Sequence, residues 1–442
     1  MDPYSFPSAA HSPVPGIVFD NRTPHAAIQF DALDQHGAAF HIFVAKIGYR
    51  LGPCGADGKS RLTPCDEAVQ LNTEDIHVDG NPAASVLEES DLAPFKPRCD
   101  VVVNAVAYAP RGIPITQFAV ALRVDRRDAG PHDESLIKKQ LIVCGQQWFK
   151  RSAKLARLWQ WPVRVFTLGL VYPPAWYLSS PKKLASLPLR YEFASGGECR
   201  IDGDKGLHEA CQGNPLGRGF TRSWYLKRLG ETALAAPQIF YISQPISARQ
   251  FQDCAAGNGE LQPAGMGPIG RAWMPRRSLI GAIAEKSEWQ RNEVPSLPEN
   301  FDFGYWNCAP FDQQCGYLHG QECLTLTNLC APDAEAARVD HQGNTVLRFD
   351  LPQQAMFVLV ADISKRLIVL PLVIDTVIIN PQTQRVDLVW RGCLAADGNS
   401  VEARLMHIVK SDQIARLDQL IQHQWTDRPQ HLADPPDDSG KK

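Results

Sequence analysis

Strand-like apolar runs outnumber helix-like ones along this chain of 442 residues. The segment AAIQFDALDQHGAAFHIFVAKIGYRL holds two β-rich runs around the turn formers Asp34 to Gly37, and CGADGK, residues 54–59, makes a second turn. Turn residues between such runs predict a β-meander. Further strands are expected at Val101–Tyr108, Phe118–Val124 and Leu141–Cys144, and TVII and RVDLVW bracket NPQTQ near the C-terminus. Helical spacing is clearest at Ile414, Leu417, Leu420 and Ile421, with Ser411 or Asp412 as the N-cap. The most apolar stretch, LIVLPLVIDTVII, is interrupted by Pro371 and Asp375 and falls short of the ~20 residues a membrane helix needs.

These elements predict an α+β, mainly β protein: antiparallel, sandwich-like sheets, a long ordered loop section rich in Gly, Pro and aromatics, and a C-terminal helix. Residues 1–18 read as a flexible lead-in, 19–180 as a β-rich region and 181–330 as the loop section. Residues 331–424 read as a β-hairpin and helix region, and 425–442 as a disordered tail. The loop section carries Tyr191, Trp224, Trp273, Trp289, Tyr305 and Trp306. Disordered segments are poor in such anchors, so the section should be rigid without being regular.

Composition narrows the function classes. A net charge of −3 argues against a generally nucleic-acid-binding surface. The N-terminus has no basic segment followed by an apolar core, and twelve scattered cysteines suit a reducing compartment, so a cytoplasmic location is expected, with no membrane association. Cys308, Cys315, Cys323 and Cys330 lie close together near His319, but without the two-residue gap of a zinc knuckle, and read as buried thiols holding no metal.

Catalytic templates are incomplete. GMGPIG, residues 265–270, matches a dinucleotide fingerprint only formally, because it follows LQPA and contains Pro268. NPLGRGF, residues 214–220, could form an anion-binding nest with Arg218, but it lacks the Lys-Ser/Thr pair of a nucleotide loop and reads rather as a tight structural turn. His208-Glu209 lacks the second histidine of a zinc protease helix. Asp91, Asp100, Glu192, Asp302 and Asp312 offer carboxylates for acid–base work, or for capping turns and pairing with Arg98, Arg271, Arg276 or Arg277. No cofactor is implied.

From Lys138 to Arg190 the chain has ten Lys/Arg and no Asp or Glu, with Trp148, Phe149, Trp159, Trp161, Trp176 and Tyr177 interleaved. Cations beside aromatics suit a protein-binding face, with Lys150, Arg151, Lys154, Arg157, Trp159 and Trp161 as the candidate contacts. The competing reading places these cations against the acid-rich segment 67–100 inside the fold.

A series of motifs carries a resemblance. SDLAPFKPRCDVVVNAVAYAP contains Asp91, Pro94, Lys96, Pro97, Arg98 and Asp100; LRYEFASGG contains Tyr191 and Glu192; GNPLGRGF contains Asn214, Pro215, Gly217 and Gly219. PAGMGPIGRAWMPRR follows with Trp273 and Arg276, then PSLPENFDFGYWNCAPFDQQ with Asp302 and Gln313, then YLHGQE. In order and spacing they resemble a bacterial domain-of-unknown-function family, the one numbered two-one-six-nine, over about residues 19–391. The chain departs from the family at Gly145-Gln146-Gln147-Trp148, where a Gly-Asp-Arg-x-Trp-like element is usual. The resemblance implies a non-enzymatic adaptor or chaperone of type VI secretion, whose partners are a secreted effector toxin and the spike or PAAR tip. The alternative is an enzyme whose pocket lies in the loop section, with Glu192, Asp302 or Asp312 as acid–base groups.

The first motif poses a local question. Pro94 and Pro97 fix two φ angles and stiffen the entry into the next strand. Asp91 and Asp100 are then expected to accept bonds from Arg98 or from backbone amides, making a structural corner.

Overall fold

The computed structural model describes residues 16–127, 130, 133–152, 176–201, 207–282, 297–396, 398–409 and 413–417. The fold is mainly β, with several sheets. The expected meander forms, Ala26–Leu33 pairing antiparallel with the long strand Ala39–Cys54. Asp34 accepts bonds from the amides of His36 and Ala38, each at 2.8 Å, which closes the turn between them. The second turn returns the chain into Ser60–Pro64, antiparallel to Ala39–Cys54.

Most strands join one 16-stranded sheet. At its middle Ala39–Cys54 pairs with Arg385–Ala395, which pairs with Leu367–Asn380 across the NPQTQ connection. Leu367–Asn380 also pairs with Ala355–Asp362, which lies beside Ser400–Ile408. There Val18–Asn21 adds parallel to Ser400–Ile408, so the two ends of the described chain share an edge. The other limb runs from Ser60–Pro64 through Thr345–Asp350, Glu322–Thr327, Gln117–Arg126 and Ile137–Cys144 to Ile239–Tyr241.

Two expectations change. Val101–Tyr108 is two strands: Cys99–Val103 lies parallel to Leu367–Asn380, while Val106–Tyr108 pairs with Ser186–Pro188. Asn104 breaks the run, its backbone N–H bonding Ile379 and its side-chain amide bonding the Leu87 carbonyl at 2.8 Å. The C-terminal third also holds Ala355–Asp362 and Ser400–Ile408 beyond the one expected pair. AMFVLVAD is apolar without alternation, and periodicity cannot separate such a buried strand from a helix. Residues 413–417 are helical, with Leu417 buried. Ser411, Asp412, Leu420, Ile421, Trp289, residues 1–15 of the lead-in 1–18 and the tail 425–442 lie outside the described residues, and Val18 of the lead-in already belongs to a strand.

Phe43, Tyr49, Leu122, Leu141 and Phe349 are fully buried in one core, and burial of side chains this size stabilises by about 1.5–3 kcal/mol each. A smaller core lies under a three-stranded sheet of Trp148–Arg151, Trp176–Leu178 and Ala233–Ala235. Phe149 stacks there on Phe251 of the helix Ala248–Ala255, with ring centroids 4.2 Å apart. Ser247 caps that helix by accepting a bond from the Gln250 amide. Among the described residues no helix is long and apolar enough to cross a membrane.

Candidate functional site

The corner at residues 88–100 is the most highly charged part of the interior. Asp100 sits at the start of the strand Cys99–Val103 and is completely buried. Its carboxylate accepts from Lys96 Nζ at 2.9 Å, from the amides of Cys308 and Ala309 at 2.9 and 3.2 Å, and from Asn307 Nδ2 at 3.1 Å. Lys96 donates a further bond of 2.9 Å to Thr376 on the neighbouring parallel strand. Burial would lower the Lys96 pKa, but Asp100, followed by Cys308 and Asp375, outweighs it and the net shift is upward. The Cys308 thiol is pushed well up by burial and then by Asp100.

Asp91 meets Lys46 at 3.2 Å, and the same ammonium lies 3.5 Å from Glu88. Asp91 also accepts from the Asn72 amide at 2.7 Å. Arg391 pairs with Asp375 through Nε and donates from Nη1 to the carbonyls of Asp91 and Ala93. Arg276 forks onto Glu89 and donates to the Tyr305 and Ile269 carbonyls. Lys46, Lys96, Arg276 and Arg391 are all at most 5% exposed, so the corner is a polar layer inside the protein. Isolated buried charges are very costly, and here each of the four cations meets an opposite charge, Lys96 also meeting the Thr376 hydroxyl and the two arginines fixed carbonyls.

The cleft beside this layer is lined by Glu88, Glu89, Asp91, Lys96, Thr376 and Arg391 and has about 10 Å³ of free volume. That is about the room one water needs. The arrangement therefore ties together the chain near residues 46, 72, 91–100, 269–276, 305–309, 375–376 and 391.

Arg98 corrects the sequence expectation. Asp91 and Asp100 take Lys46 and Lys96 as partners, and it is the Arg98 backbone carbonyl that joins the corner, accepting from Asn307 Nδ2 at 2.8 Å. Asp100 enters the sheet beside Thr376, so its ion partner is the lysine one turn back rather than the arginine next to Cys99. Pro94 and Pro97 lie half-buried between the two acids.

The other motif residues serve separate contacts. Gln313 donates to the carbonyls of Val101 and Met266 at 2.7 and 3.0 Å, holding GMGPIG against the strand; that segment is irregular, without the strand-to-helix setting of a nucleotide loop. Asn214 is fully buried; its Nδ2 donates to the Tyr191 and Ser195 carbonyls at 2.8 and 3.0 Å, and its Oδ1 accepts from Leu216. Gly219 pairs with Gly196, whose φ of +149° and approach to the Asn214 carbonyl leave no room for a Cβ. Pro215 lies in this turn, and a Cβ on Gly217 would meet Asn214 and the Ala194 carbonyl. Arg218 is spent internally on the Glu192 carbonyl and the Gln238 side chain. Tyr191 meets Trp273 edge-on, with centroids 5.2 Å apart.

The candidate acid–base groups are dispersed in bonding. Glu192 accepts from the Ser85 amide and hydroxyl, Asp302 caps a short turn by accepting from Gly304, and Asp312 accepts from Lys139 at 2.7 Å. Burial pulls the Lys139 pKa down to about 8, against the opposing pull of Asp312. Cys308, Cys315, Cys323 and Cys330 are buried, Cys315 lying opposite Cys99 across a strand pair, and among the described residues no three metal-ligating side chains come together.

On the positive stretch, Lys150 and Arg151 are exposed on the small sheet, whereas Lys154, Arg157, Trp159 and Trp161 lie outside the described residues. The acids of segment 67–100 find other cations: Glu88 and Asp91 meet Lys46, Glu89 meets Arg276, and Asp75 meets Arg271. Asp79 lies 3.9 Å from Arg190, the one such link to the stretch among the described residues. Among the described cations of the stretch, internal neutralisation by that segment is thus confined to Arg190, while the buried Lys139 is neutralised by Asp312 instead.

Lys46, Asp375 and Arg391 were missed as site residues, although each interrupts a strand-like apolar run. A charge in such a position is a signal of a buried ion pair.

The fold and site define a mainly β protein built around an internal charge network. Residues 36–391 match the family described as an uncharacterized protein conserved in bacteria (DUF2169), and the chain belongs to that family. No curated protein and no solved structure matches it.

Proposed function

We propose that the protein is a non-enzymatic, cytoplasmic adaptor or chaperone that binds a type VI secretion effector toxin and helps load it onto the spike or PAAR tip. The observation that carries this reading is where the polar residues go. The carboxylates that would furnish a reaction centre are taken up by separate partners, Glu192 by Ser85, Asp302 by Gly304 and Asp312 by Lys139, and the charged corner encloses a cleft with room for about one water. Exposed aromatics and cations are left on the surface instead, which suits a protein whose work is contact. In this reading the sheets stack sandwich-like and the loop section 181–330 is an ordered support for the contact surfaces.

Affinity purification of the tagged protein from its native cells, with mass spectrometry, tests the proposal. A toxin should be recovered in stoichiometric amount, and its abundance should fall when the adaptor gene is deleted. Recovery of neither toxin nor spike component, with saturable binding of a small ligand, would favour the enzyme reading.

A further inference from the structure

We propose that the outward face of the small three-stranded sheet, centred on Trp148, Lys150 and Tyr177, docks an extended segment of the secreted partner whose sheet-facing side, every second residue, alternates acidic and apolar side chains. The proposal rests on the adaptor reading above and assigns it a surface and a partner chemistry. Strand register brings the residues together. Lys150 lies directly opposite Tyr177 on one side and Ala233 on the other, and Trp148 lies opposite Ala235. Residues opposite one another in a sheet share a face, so these side chains form one patch. Phe149, between Trp148 and Lys150, points the other way into the small core and is 1% exposed.

The outward aromatics are unusually open, Trp148 at 38% and Tyr177 at 46%. Ala233 and Ala235 have no bulk to cover them, leaving a shallow shelf beside the Trp148 ring. Lys150, Lys182 and Lys183 are exposed, with no carboxylate partner among the described residues. Lys182 is held close by its amide bond to the Gln146 carbonyl, just ahead of Trp148. A Cβ on Gly145 would fall 1.7 Å from the Lys182 carbonyl oxygen, so the two segments touch backbone to backbone. The patch thus combines a fixed backbone, open aromatics and unneutralised positive charge. Acidic side chains complement the cations and apolar ones the aromatics, and because only every second side chain of an extended segment faces the sheet, the two kinds must alternate along that one side. Aromatic anchors of this kind carry most of the affinity where they become buried.

The test uses the full chain and a fluorescein-labelled peptide of about eight residues, a typical strand length, with Glu and Val alternating at every second position and Ser between them. A Lys/Val peptide and an oligothymidine of equal length are the controls. The Glu/Val peptide should bind, with affinity falling as salt rises from 0.1 to 1 M and the Debye length shortens from about 10 to 3 Å. Trp148→Ala combined with Tyr177→Ala should weaken it about thirtyfold or more, the scale of one lost hot spot. Lys150→Glu should abolish it, and the milder Lys150→Gln gives the same reading should Lys150→Glu fold poorly. Equal binding of both peptides, unchanged binding by the variants, or tighter binding of the oligonucleotide would overturn the proposal. In native cells, a Lys150→Glu/Tyr177→Ala protein that recovers the toxin as well as the wild type does would overturn this surface and leave the adaptor reading standing. A wild type that recovers no toxin but shows the expected peptide selectivity would do the reverse.

Discussion

Lys96 and Lys150 show two fates of the same side chain. Lys96 is 5% exposed and its ammonium lies 2.9 Å from both Asp100 and Thr376. Lys150 is exposed on the strand Trp148–Arg151 and has no acid opposite it. The sequence around Lys150 is the more conspicuous, with ten cations and no acid between Lys138 and Arg190. The denser charge structure nevertheless forms at the corner, because the partners there arrive from far along the chain. Local charge density marks a surface; long-range strand pairing makes the network.

Breaking the corner should have the largest effect. Arg391→Met strands Asp375 and frees the carbonyls of Asp91 and Ala93, so a loss of about 3–5 kcal/mol is expected in denaturant titration. Lys96→Met should be similarly costly, and Lys96→Met combined with Asp100→Leu less than the sum of the two single changes. A cost below about 1 kcal/mol for Arg391→Met, the value of an exposed pair, would remove the distinction between the two regions.

Asn214→Ala should come next, at about 1–3 kcal/mol, because the Tyr191 and Ser195 carbonyls lose their donor where water cannot replace it. A melt shifted as little as that of a surface variant would show that this turn is not held by its asparagine.

A smaller effect is expected with pH. His407 bonds His25 at 3.1 Å and Gln354 at 3.1 Å, and Gln354 accepts from Tyr49. Burial, then the neighbouring His25, lowers the His407 pKa from 6.5 to about 4. The contribution is therefore fully present above pH 6.5 and is lost as pH falls from there towards 4, by about 1–2 kcal/mol after solvent screening. Stability measured against pH should slope across that window, and His407→Gln should flatten the slope.

The smallest expected change is on the small sheet. Trp148→Ala and Lys150→Glu should alter stability by about 0.5 kcal/mol or less, as surface substitutions do. A loss comparable to that of Asn214→Ala would mean that this face is part of the fold's support.

The meander and the strands around NPQTQ were legible because turn formers separate apolar runs there, and Asp34 closes its turn by the side-chain bonds its residue type favours. The corner's importance was legible too, from two prolines among four charges. Its pairing was not. Arg98 is nearer in sequence to Asp100 than any of the residues that fix it from a distance, but Asn307 and Cys308 reach Asp100 from a loop, and Thr376, beside it on the neighbouring strand, takes a bond from Lys96. The outward patch was half legible: its cations and aromatics were evident, whereas the register joining Trp148, Lys150 and Tyr177 requires knowing which strands pair.

The parallel alignment of Cys99–Val103 with Leu367–Asn380 also governs the timing of folding. A ribosome delivers Lys46, Asp91, Lys96 and Asp100 well before Asp375 and Arg391. Until then the nascent chain holds charges that have no place in a dry interior, and the central strands have no neighbour to complete them. Such long-range closure makes folding slow and leaves strand edges open meanwhile. A chain released short of Arg391 would lack the residues that make its first half buriable, so quality control acting on unfinished chains would meet an open, charged sheet rather than a small folded domain.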